Sequence, residues 1–492
     1  MSHEGSSVAT HTGSNHLEDS GSERHTPVGK TTTDDEILVS KNSPRTDEKS
    51  PSLTDANLDD VSRDQAKFHK LTWPRLTIVL IVEAIALGSL SMPATYATLG
   101  LVPGLLITIG IGFIAIYSSL NIGNTWLKFP HLENYPLAGG LLFGRIFGGS
   151  KMATSIGYWF TTACFLLLLS FTTGSHALTG KILFQTITDS NVCAIVFTVV
   201  SAVILFLLAL PKTFSEMAIL GYIDFTSIML AIGVTIIAAG ITGSKKPGGL
   251  DGIDWYAFPQ SNPGFAEAFA SVLNIVFAFA YAQCQFSFMA ELRRPKDFTK
   301  SIWALGLCEI VIYSLTGALG FVFIGSDVQS PALLSNSKVV SQVAFGLAIP
   351  VVFISGSINT QTAARFIYDK MYRGTPHQWI STKKGTIVWV ALVLGITIFA
   401  WFVAELIPFF SSLLGLISSL FISWFTFCFP PLFWIFLLRE GDWKKGRNLV
   451  LTILNVAVFL IGMMILVAGT YASVVDIQSS FAEGAVGSPF SC

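Results

Sequence analysis

The sequence predicts an all-α membrane protein with eleven transmembrane helices, and three observations support this. Of 492 residues, 51% are hydrophobic and only 12% are charged, and the mean hydropathy is +0.61, far from the soluble average. Eleven segments each contain about 20 mostly apolar residues, the length that spans a bilayer as a helix. Lysine and arginine also collect in alternate loops. The net charge of −1 gives no indication of a nucleic-acid partner.

The first 70 residues differ in composition from the rest of the chain. Ser, Thr, Asp, Glu and Lys dominate there, and apolar periodicity is absent. Such a composition cannot bury enough apolar surface to fold, so residues 1–70 are predicted to form a disordered cytosolic tail. Its lysines and hydroxyl groups would suit regulation by ubiquitin or kinase machinery, and a plain solubilising tail explains them equally well.

The predicted membrane domain covers residues 71–470 and is followed by a tail over 471–492. Its spans run approximately over residues 76–99, 101–127, 153–175, 191–210, 216–242, 267–290, 301–325, 338–369, 385–406, 408–438 and 447–470. The first two spans are joined almost directly, through Gly100. An odd number of crossings places the two termini on opposite sides of the membrane.

The distribution of basic residues fixes the predicted orientation. If the N-terminus is cytosolic, about twenty Lys and Arg residues near span ends lie inside and about four lie outside. The positive-inside rule therefore predicts a cytosolic N-terminus and a C-terminal tail, residues 471–492, outside the cell.

The first span contains residues that a purely structural membrane helix would avoid. Gly88 and Pro93 flank a short polar stretch, and Glu83 lies five residues before Gly88. Proline removes an amide donor and disfavours the preceding turn, which predicts unwound backbone over residues 88–91. Unwound backbone inside a bilayer survives where it lines a cavity, and the following half-helix can bind a carboxylate at its N-terminus. A helix kinked for close packing is the alternative.

An inverted repeat predicts a second broken helix in span six, although residues 267–292 contain no internal Gly or Pro. The span does contain polar residues that could satisfy an opened backbone or bind a ligand. They are Asn274, Tyr281, Gln283, Gln285 and Ser287. Hydrogen bonding between helices would explain them equally well.

Acidic and polar residues inside the other spans are candidates for ion or proton coupling. Ser355, Asn359 and Thr362 share one face of span eight by their i, i+4, i+7 spacing, although close packing around a neighbouring glycine explains this stripe as well. Intramembrane carboxylates are costly and usually functional, which makes Glu83 the leading proton site. Asp224, Glu309 and Glu405 rank below Glu83 because no predicted helix break accompanies them.

The remaining reactive residue types suggest no cofactor and no metal site. The six cysteines show no CxxC pair and are interpreted as small packing residues. His176 and His377 are predicted to lie in solvated loops. With no phosphate-binding loop or nucleophile motif in or beside the spans, the chain is not expected to be an enzyme.

Two motifs resemble those of the amino acid/auxin permease family, also called transmembrane amino acid transporters. One is the first-span sequence from Gly88 to Pro93, GSLSMP, and the other is the exit from span six between Glu291 and Phe298, ELRRPKDF. The resemblance extends over about residues 70–470 and is strongest to fungal neutral amino acid permeases of the methyltryptophan-resistance type. It implies a LeuT-type fold of two inverted five-helix repeats, about 76–242 and 267–438, with discontinuous helices 1 and 6 and one extra helix.

The resemblance also implies a function and a set of site residues. The expected function is proton symport of neutral aliphatic and aromatic amino acids into the cell across the plasma membrane, by alternating access. An amino acid sensor and a vacuolar exporter of the same fold are the alternatives. The implied substrate-binding residues are Gly88, Ser89, Leu90, Ser91, Tyr158, Thr162, Phe279, Ala280, Tyr281 and Gln283, and those for proton coupling are Glu83, Ser355 and Asn359. Val82 and Glu83 stand where sodium-coupled relatives tend to carry an asparagine, which favours protons over sodium.

Overall fold

The computed structural model describes residues 72–85, 87–190, 192–212, 214–245, 248–260, 262–290, 292–375, 382–482 and 489–490. The predicted tail over residues 1–70 and His377 lie outside the described residues. Within them the chain is helical and contains no β-strand.

The helices are numbered α1 to α14 in chain order. Their bounds are α1 Trp73–Ala84, α2 Gly88–Leu99, α3 Leu101–Lys128, α4 Tyr135–Ile146, α5 Lys151–Thr188, α6 Ala194–Leu208, α7 Phe214–Ser244, α8 Phe265–Ala278, α9 Gln285–Ala290, α10 Phe298–Ile324, α11 Lys338–Met371, α12 Lys383–Leu406, α13 Phe410–Leu438 and α14 Gly446–Ala482. Helix α13 contains two π-helical segments, Ser418–Cys428 and Trp434–Leu438.

Nine helical segments in the described part of the chain are long and apolar enough to cross a membrane. Two further predicted spans are represented differently. Helix α6 is apolar but has only 15 residues, and the first span is divided into α1 and α2. The order of the segments follows the sequence prediction, while eleven complete crossings stay a prediction.

Three segments differ from the sequence prediction. Helix α4 forms where a loop was expected, because the Asn134 side chain accepts a hydrogen bond from the Leu137 amide and caps its N-terminus. Helix α5 continues to Thr188, 13 residues beyond the predicted end of span three. Helix α14 likewise continues to Ala482, so the first part of the predicted tail over 471–492 is helical.

The helices pack in two groups. Each group contains two consecutive spans and the two spans that follow five positions later in the chain. Spans one, two, six and seven, formed by α1 with α2, α3, α8 with α9, and α10, pack together around α10. Spans three, four, eight and nine, formed by α5, α6, α11 and α12, all contact one another. The fifth span, α7, packs against both groups, and the tenth, α13, packs against α5, α8 and α14. This is the predicted LeuT-type arrangement, with equivalent spans offset by five.

One cysteine departs from the packing role predicted for all six. Cys193, which precedes α6, is disulfide-bonded, whereas Cys164, Cys284, Cys308 and Cys428 are free. The prediction was wrong for Cys193 because residue spacing alone does not indicate which chain segments meet. Disulfides persist in oxidising compartments and are rare in the cytosol.

Candidate functional site

The first span is broken, and the break lies slightly earlier than predicted. Helix α1 ends at Ala84, and α2 begins at Gly88. The predicted unwound stretch over residues 88–91 instead forms the first turn of α2, and Pro93 is accommodated inside that helix. Proline therefore does not set the position of the break.

Side-chain hydroxyls satisfy the backbone around this first break. Ser89 Oγ donates to the Ile85 carbonyl oxygen at 2.9 Å, and Ser91 Oγ donates to the Gly88 carbonyl oxygen at 2.9 Å. Both serines and Leu90 are buried. Broken membrane helices require such replacement partners because hydrocarbon supplies none. The two serines that the sequence placed at the substrate site thus also stabilise the break.

The sixth span is also broken, as the repeat predicted, although no glycine or proline marks the position. Helix α8 ends at Ala278, residues 279–281 are non-helical, and a short 3₁₀ turn, Ala282–Cys284, precedes α9. The Gln283 side-chain amide donates to the Ala280 carbonyl oxygen at 3.1 Å. Phe279 and Tyr281 are completely buried. A polar side chain near the break thus replaces a hydrogen bond that the helix has lost.

The two breaks contact each other. A Cβ atom added to Gly88 would lie 2.6 Å from the Cα atom of Ala278, so only glycine permits this approach of α2 to α8. A further close contact brings α3 to the same place, because a Cβ on Gly112 would lie 3.0 Å from the ring of Phe279. The structure thus brings together the first-span and sixth-span residues that the sequence proposed for one site.

Tyr313 of α10 connects the two breaks. Its hydroxyl lies 2.8 Å from the Ala84 carbonyl oxygen and 3.0 Å from the Ala278 carbonyl oxygen, and donates its proton to these two acceptors. Both carbonyls belong to the last residue of a helix, where no intrahelical donor exists. Tyr313 is fully buried, and its ring packs edge-on against Phe279 at 5.2 Å. Sequence analysis missed Tyr313, because a lone tyrosine in an apolar span carries no motif.

The helix ends give the site an electrostatic polarity. Carbonyl groups at the C-termini of α1 and α8 converge near Tyr313 and carry partial negative charge. The N-terminus of α2 begins at Gly88 and carries partial positive charge. Positive and negative helix ends therefore lie next to each other in a buried region. Such an arrangement is complementary to a zwitterion.

No contact in the described part of the chain brings Tyr158 or Thr162 to the breaks. Both lie in the first part of α5, where the Lys370 ammonium group lies 4.6 Å from the Tyr158 ring centroid. Thr162 Oγ1 donates to the carbonyl oxygen of Tyr158 within the helix. Lys370 belongs to the last turn of α11. Their described partners therefore give these two residues no support as substrate ligands.

The coupling residues proposed from span eight have an acidic partner on α7. Ser355 Oγ donates to Asp224 Oδ2 at 2.8 Å, and Asn359 donates to the Ser355 carbonyl oxygen at 3.1 Å. Asp224 is completely buried, and its Oδ1 has no hydrogen-bond partner in the described part of the chain. Glu83, which the sequence ranked first, lies in α1, but its side chain falls outside the described residues. Because of its burial and its contact with Ser355, Asp224 is a stronger candidate for proton coupling than the sequence alone indicated.

His176, which was predicted to lie in a solvated loop, is buried in helix α5, and so is Lys181. His176 Nδ1 lies 2.8 Å from the Val352 carbonyl oxygen of α11, and Gly356 permits this close approach. Lys181 forms an ion pair with Glu405 of α12 at 3.7 Å. The prediction for His176 was wrong because span three extends further than its apolar stretch indicated.

A small cavity lies next to the first helix break. The cavity, beside the first turn of α2, has a volume of about 10 Å³, close to the minimum for one water molecule. Its polar lining includes Ser89 of α2, Thr235 of α7 and Thr316 of α10. An amino acid does not fit in this cavity.

Comparison with known proteins identifies the family. Residues 69–475 match the family described as "Transmembrane amino acid transporter protein". The chain belongs to this family. The resemblance predicted from the two motifs is therefore confirmed, and the chain is a multi-pass membrane protein of an amino acid transporter family.

Individual relatives extend this finding. The transporter is 49% identical over 429 residues to the "N amino acid transport system protein" of Neurospora crassa, covering 87% of this chain and 89% of that protein. It is 28% identical over 188 residues to the "Amino acid transporter AVT3B" of Arabidopsis thaliana, covering 37% of this chain and 41% of that protein. Among solved structures it is similar to Mhp1, a nucleobase-cation-symport-1 family transporter, in a closed conformation. That match has a TM-score of 0.46 and 16% identity, and covers 85% of this chain and 94% of the other.

Proposed function

We propose that this transporter imports neutral amino acids by proton symport, with the substrate bound between the two helix breaks. The observation that carries the proposal is the pairing of opposite helix ends in the buried region around Gly88, Ala278 and Tyr313. Secondary transporters bind substrates at such discontinuous helices near the middle of the bilayer. The 49% identical relative of Neurospora crassa, named for amino acid transport, supports the same class of substrate.

The proposed pose follows from charge complementarity. The substrate carboxylate binds the N-terminal turn of α2, formed by Gly88 to Ser91, where the helix dipole favours an anion. The ammonium group binds carbonyl oxygens of the span-six break, at Phe279 and Ala280, after the Gln283 amide has moved away from Ala280. Each substrate charge thereby meets a partial charge of opposite sign.

The side chains around the breaks favour a neutral substrate. Leu90, Phe279, Tyr281 and Tyr313 are buried apolar or aromatic residues. A charged substrate side chain would lose its hydration against these groups with no ion partner, which is costly in a membrane interior. Aliphatic and aromatic amino acids instead bury apolar surface there.

Proton coupling is proposed for Asp224 together with Ser355 and Asn359. A buried carboxylate with no ion partner is most stable in its neutral form, so Asp224 can take up a proton when its site is dry. Helix α7 packs against both helix groups, and relative movement of these groups can therefore alter the exposure of Asp224. Glu83 stays a second proposal, since α1 forms one side of the break.

The test is uptake by purified protein in proteoliposomes. An inwardly directed proton gradient is expected to drive accumulation of a labelled neutral amino acid, with competition by other neutral amino acids and little by cationic or acidic ones. An equal sodium gradient without a pH gradient is expected to drive none. Binding without accumulation under either gradient would instead identify a sensor, and accumulation with sodium alone would reject proton coupling.

We further propose a plasma-membrane location with the N-terminus in the cytosol. The disulfide at Cys193 supports a non-cytosolic position for the loop between α5 and α6, which agrees with the positive-inside rule. Fluorescent tagging combined with labelling by an impermeant thiol reagent, before and after reduction, tests both points. Retention in the vacuolar membrane would favour the exporter instead.

A further inference from the structure

Glu309 of α10 is a buried carboxyl group that the proposed substrate site and the Asp224 site leave unexplained. Its exposed fraction is 0%, and neither carboxyl oxygen has a hydrogen-bond partner in the described part of the chain. It forms no ion pair among these residues. Glu309 lies one helical turn before Tyr313, so both face the same side of α10.

The side chains around Glu309 are also polar and also unpartnered. The Tyr281 hydroxyl of the span-six break is a neighbour of this carboxyl group, and the Ser119 hydroxyl of α3 is a neighbour of Tyr281. Each is completely buried, and neither has a hydrogen bond of ordinary length. Gly306 permits the close approach, since a Cβ there would lie 2.2 Å from Ile116 and 3.6 Å from the Tyr281 hydroxyl. Buried polar groups of α10, the span-six break and α3 thus follow one another, from Glu309 to Tyr281 to Ser119.

The other titratable groups near α10 do not neutralise Glu309. Its titratable neighbours are Tyr281, Tyr313 and Cys308. Most titratable groups on the helices packed against α10 have other partners. Tyr96 donates to Thr108, Tyr117 accepts from Asn455, Lys128 pairs with Glu440, and Asp224 accepts from Ser355. Arg75 of α1 and Tyr222 of α7 are exposed, and the side chain of Glu83 lies outside the described residues.

These surroundings indicate whether Glu309 is protonated in the described conformation. An ionised carboxylate without an ion partner or a hydrogen-bond donor is strongly disfavoured in such surroundings. Buried polar groups without partners are themselves destabilising, so the three groups favour a conformation in which water or a changed backbone reaches them. Tyr281 belongs to the break, and movement of the break therefore alters the surroundings of Glu309 directly.

We propose that Glu309 is a second proton-binding site, which holds a proton while the span-six break is closed and releases it to water when the break opens toward the cytosol. The proton leaves a carboxyl oxygen as the carboxylate forms, a water molecule accepts it, and it is replaced from the outer side in the next cycle. This inference rests on the proposed proton symport. It assigns one of the coupled protons to a site distinct from Asp224.

Glu309→Gln tests the proposal because glutamine resembles the protonated form but cannot release a proton. Full-length protein in proteoliposomes is expected to retain amino acid exchange at equal pH within about twofold of wild type. The proton-to-substrate ratio, measured from the reversal potential of uptake, is expected to fall by one proton. The matched control is Glu405→Gln, because Glu405 is also buried but is paired with Lys181, and its ratio should equal that of wild type.

Other outcomes separate this inference from the proposed function. An unchanged ratio in Glu309→Gln would overturn the Glu309 site while leaving proton symport intact. Failure of a pH gradient to drive uptake by the wild-type protein would reject the proposed function itself. If Glu309→Gln does not fold, Glu309→Asp and Tyr281→Phe provide the test, because each retains a carboxyl group in changed surroundings. Both should shift the pH midpoint of uptake, and unchanged midpoints would contradict the proposal.

Discussion

The two broken spans reach the same local structure from very different sequences. The first span carries Gly88 and Pro93 near its break, whereas the sixth contains neither residue type between Phe265 and Ala290. In both, a helix ends, a few residues follow without α-helical structure, and a second helix begins. Chain-breaking residues are therefore not required to interrupt a membrane helix.

The partners of the freed backbone groups explain this difference. In the first span, Ser89 and Ser91 donate to carbonyl groups of their own segment. In the sixth span, Gln283 donates to Ala280, and Tyr313 donates to Ala278 from another helix. A break is stable in hydrocarbon when each freed polar group finds a partner. Side-chain hydrogen bonds, rather than glycine or proline, are the feature that both breaks share.

The largest effect is expected from Gly88→Ala, which disturbs both breaks at once. The added Cβ would lie 2.6 Å from the backbone of Ala278, so α2 and α8 must separate. Overpacking of this kind costs about 1–3 kcal/mol, and the middle of that range, about 2 kcal/mol, corresponds to an initial uptake about 30-fold lower. The measurement is labelled amino acid uptake per folded transporter.

Gly110→Ala is the control for this substitution. Gly110 lies in the exposed face of α3, and a Cβ there would have no neighbour within 4 Å. Alanine has the higher helix propensity at both positions, so a loss confined to Gly88→Ala isolates the contact. Uptake by Gly88→Ala close to that of Gly110→Ala would show that the breaks need not touch.

Tyr313→Phe ranks second, because it removes one donor shared by two carbonyl groups. An unsatisfied buried acceptor costs about 1–3 kcal/mol, and a loss of about 1.4 kcal/mol, in the lower half of that range, makes the uptake rate about tenfold lower. Tyr135→Phe is the matched control, since the Tyr135 hydroxyl donates at 2.6 Å to the Phe425 carbonyl oxygen of α13, which belongs to neither break. Equal losses in the two variants would indicate a general packing effect rather than a role of Tyr313 at the site.

The sequence predicted the fold better than the details of the site, and particular residues show why. Apolar length and the positions of basic residues report on the bilayer itself, so the order of spans and the division of the first helix could be predicted. The position of the first break could not, because it depends on Ser89 and Ser91 as donors rather than on Pro93. Tyr313 was missed for a related reason. Its role exists only where the ends of two other helices converge.

The same reasoning accounts for the acidic residues. Glu83 ranked first because it lies near a visible sequence signal, and its side chain lies outside the described residues. Asp224 and Glu309 ranked lower because no sequence signal accompanies them. Their importance arises from burial and from oxygens without partners. These properties depend on the packing of several helices, which a single sequence does not reveal.

A smaller effect is expected from substitutions that each alter only one of the two breaks. Ser89→Ala removes a donor from the first break, and Gln283→Met removes one from the sixth. Hydrogen bonds in membrane proteins average about 0.6 kcal/mol with a maximum near 1.7, so each variant should lower the maximal uptake rate by about threefold, and by no more than about 20-fold. Separate measurement of KM and kcat distinguishes the two variants.

If the Gln283 amide must leave Ala280 for the substrate ammonium to bind, Gln283→Met should lower KM, whereas Ser89→Ala should mainly lower kcat. If KM and kcat changed in the same way in both variants, the different roles proposed for the two breaks would be contradicted. Thr172→Ala serves as a control, because Thr172 makes the same kind of bond to a helix carbonyl within α5.

The smallest effect is expected from Glu440→Gln, where the hydrogen bond has a similar length but lies in water. Lys128 donates to Glu440 at 2.8 Å, and this bond holds the pKa of Glu440 below its usual value. A depressed carboxyl pKa means that the pair is complete at neutral pH and is lost only as pH falls through that lowered value. Exposed ion pairs contribute little, so uptake at neutral pH should change less than about twofold. A loss as large as that of Tyr313→Phe would show that the ends of α3 and α13 next to this ion pair limit transport, and that the breaks alone do not set its rate.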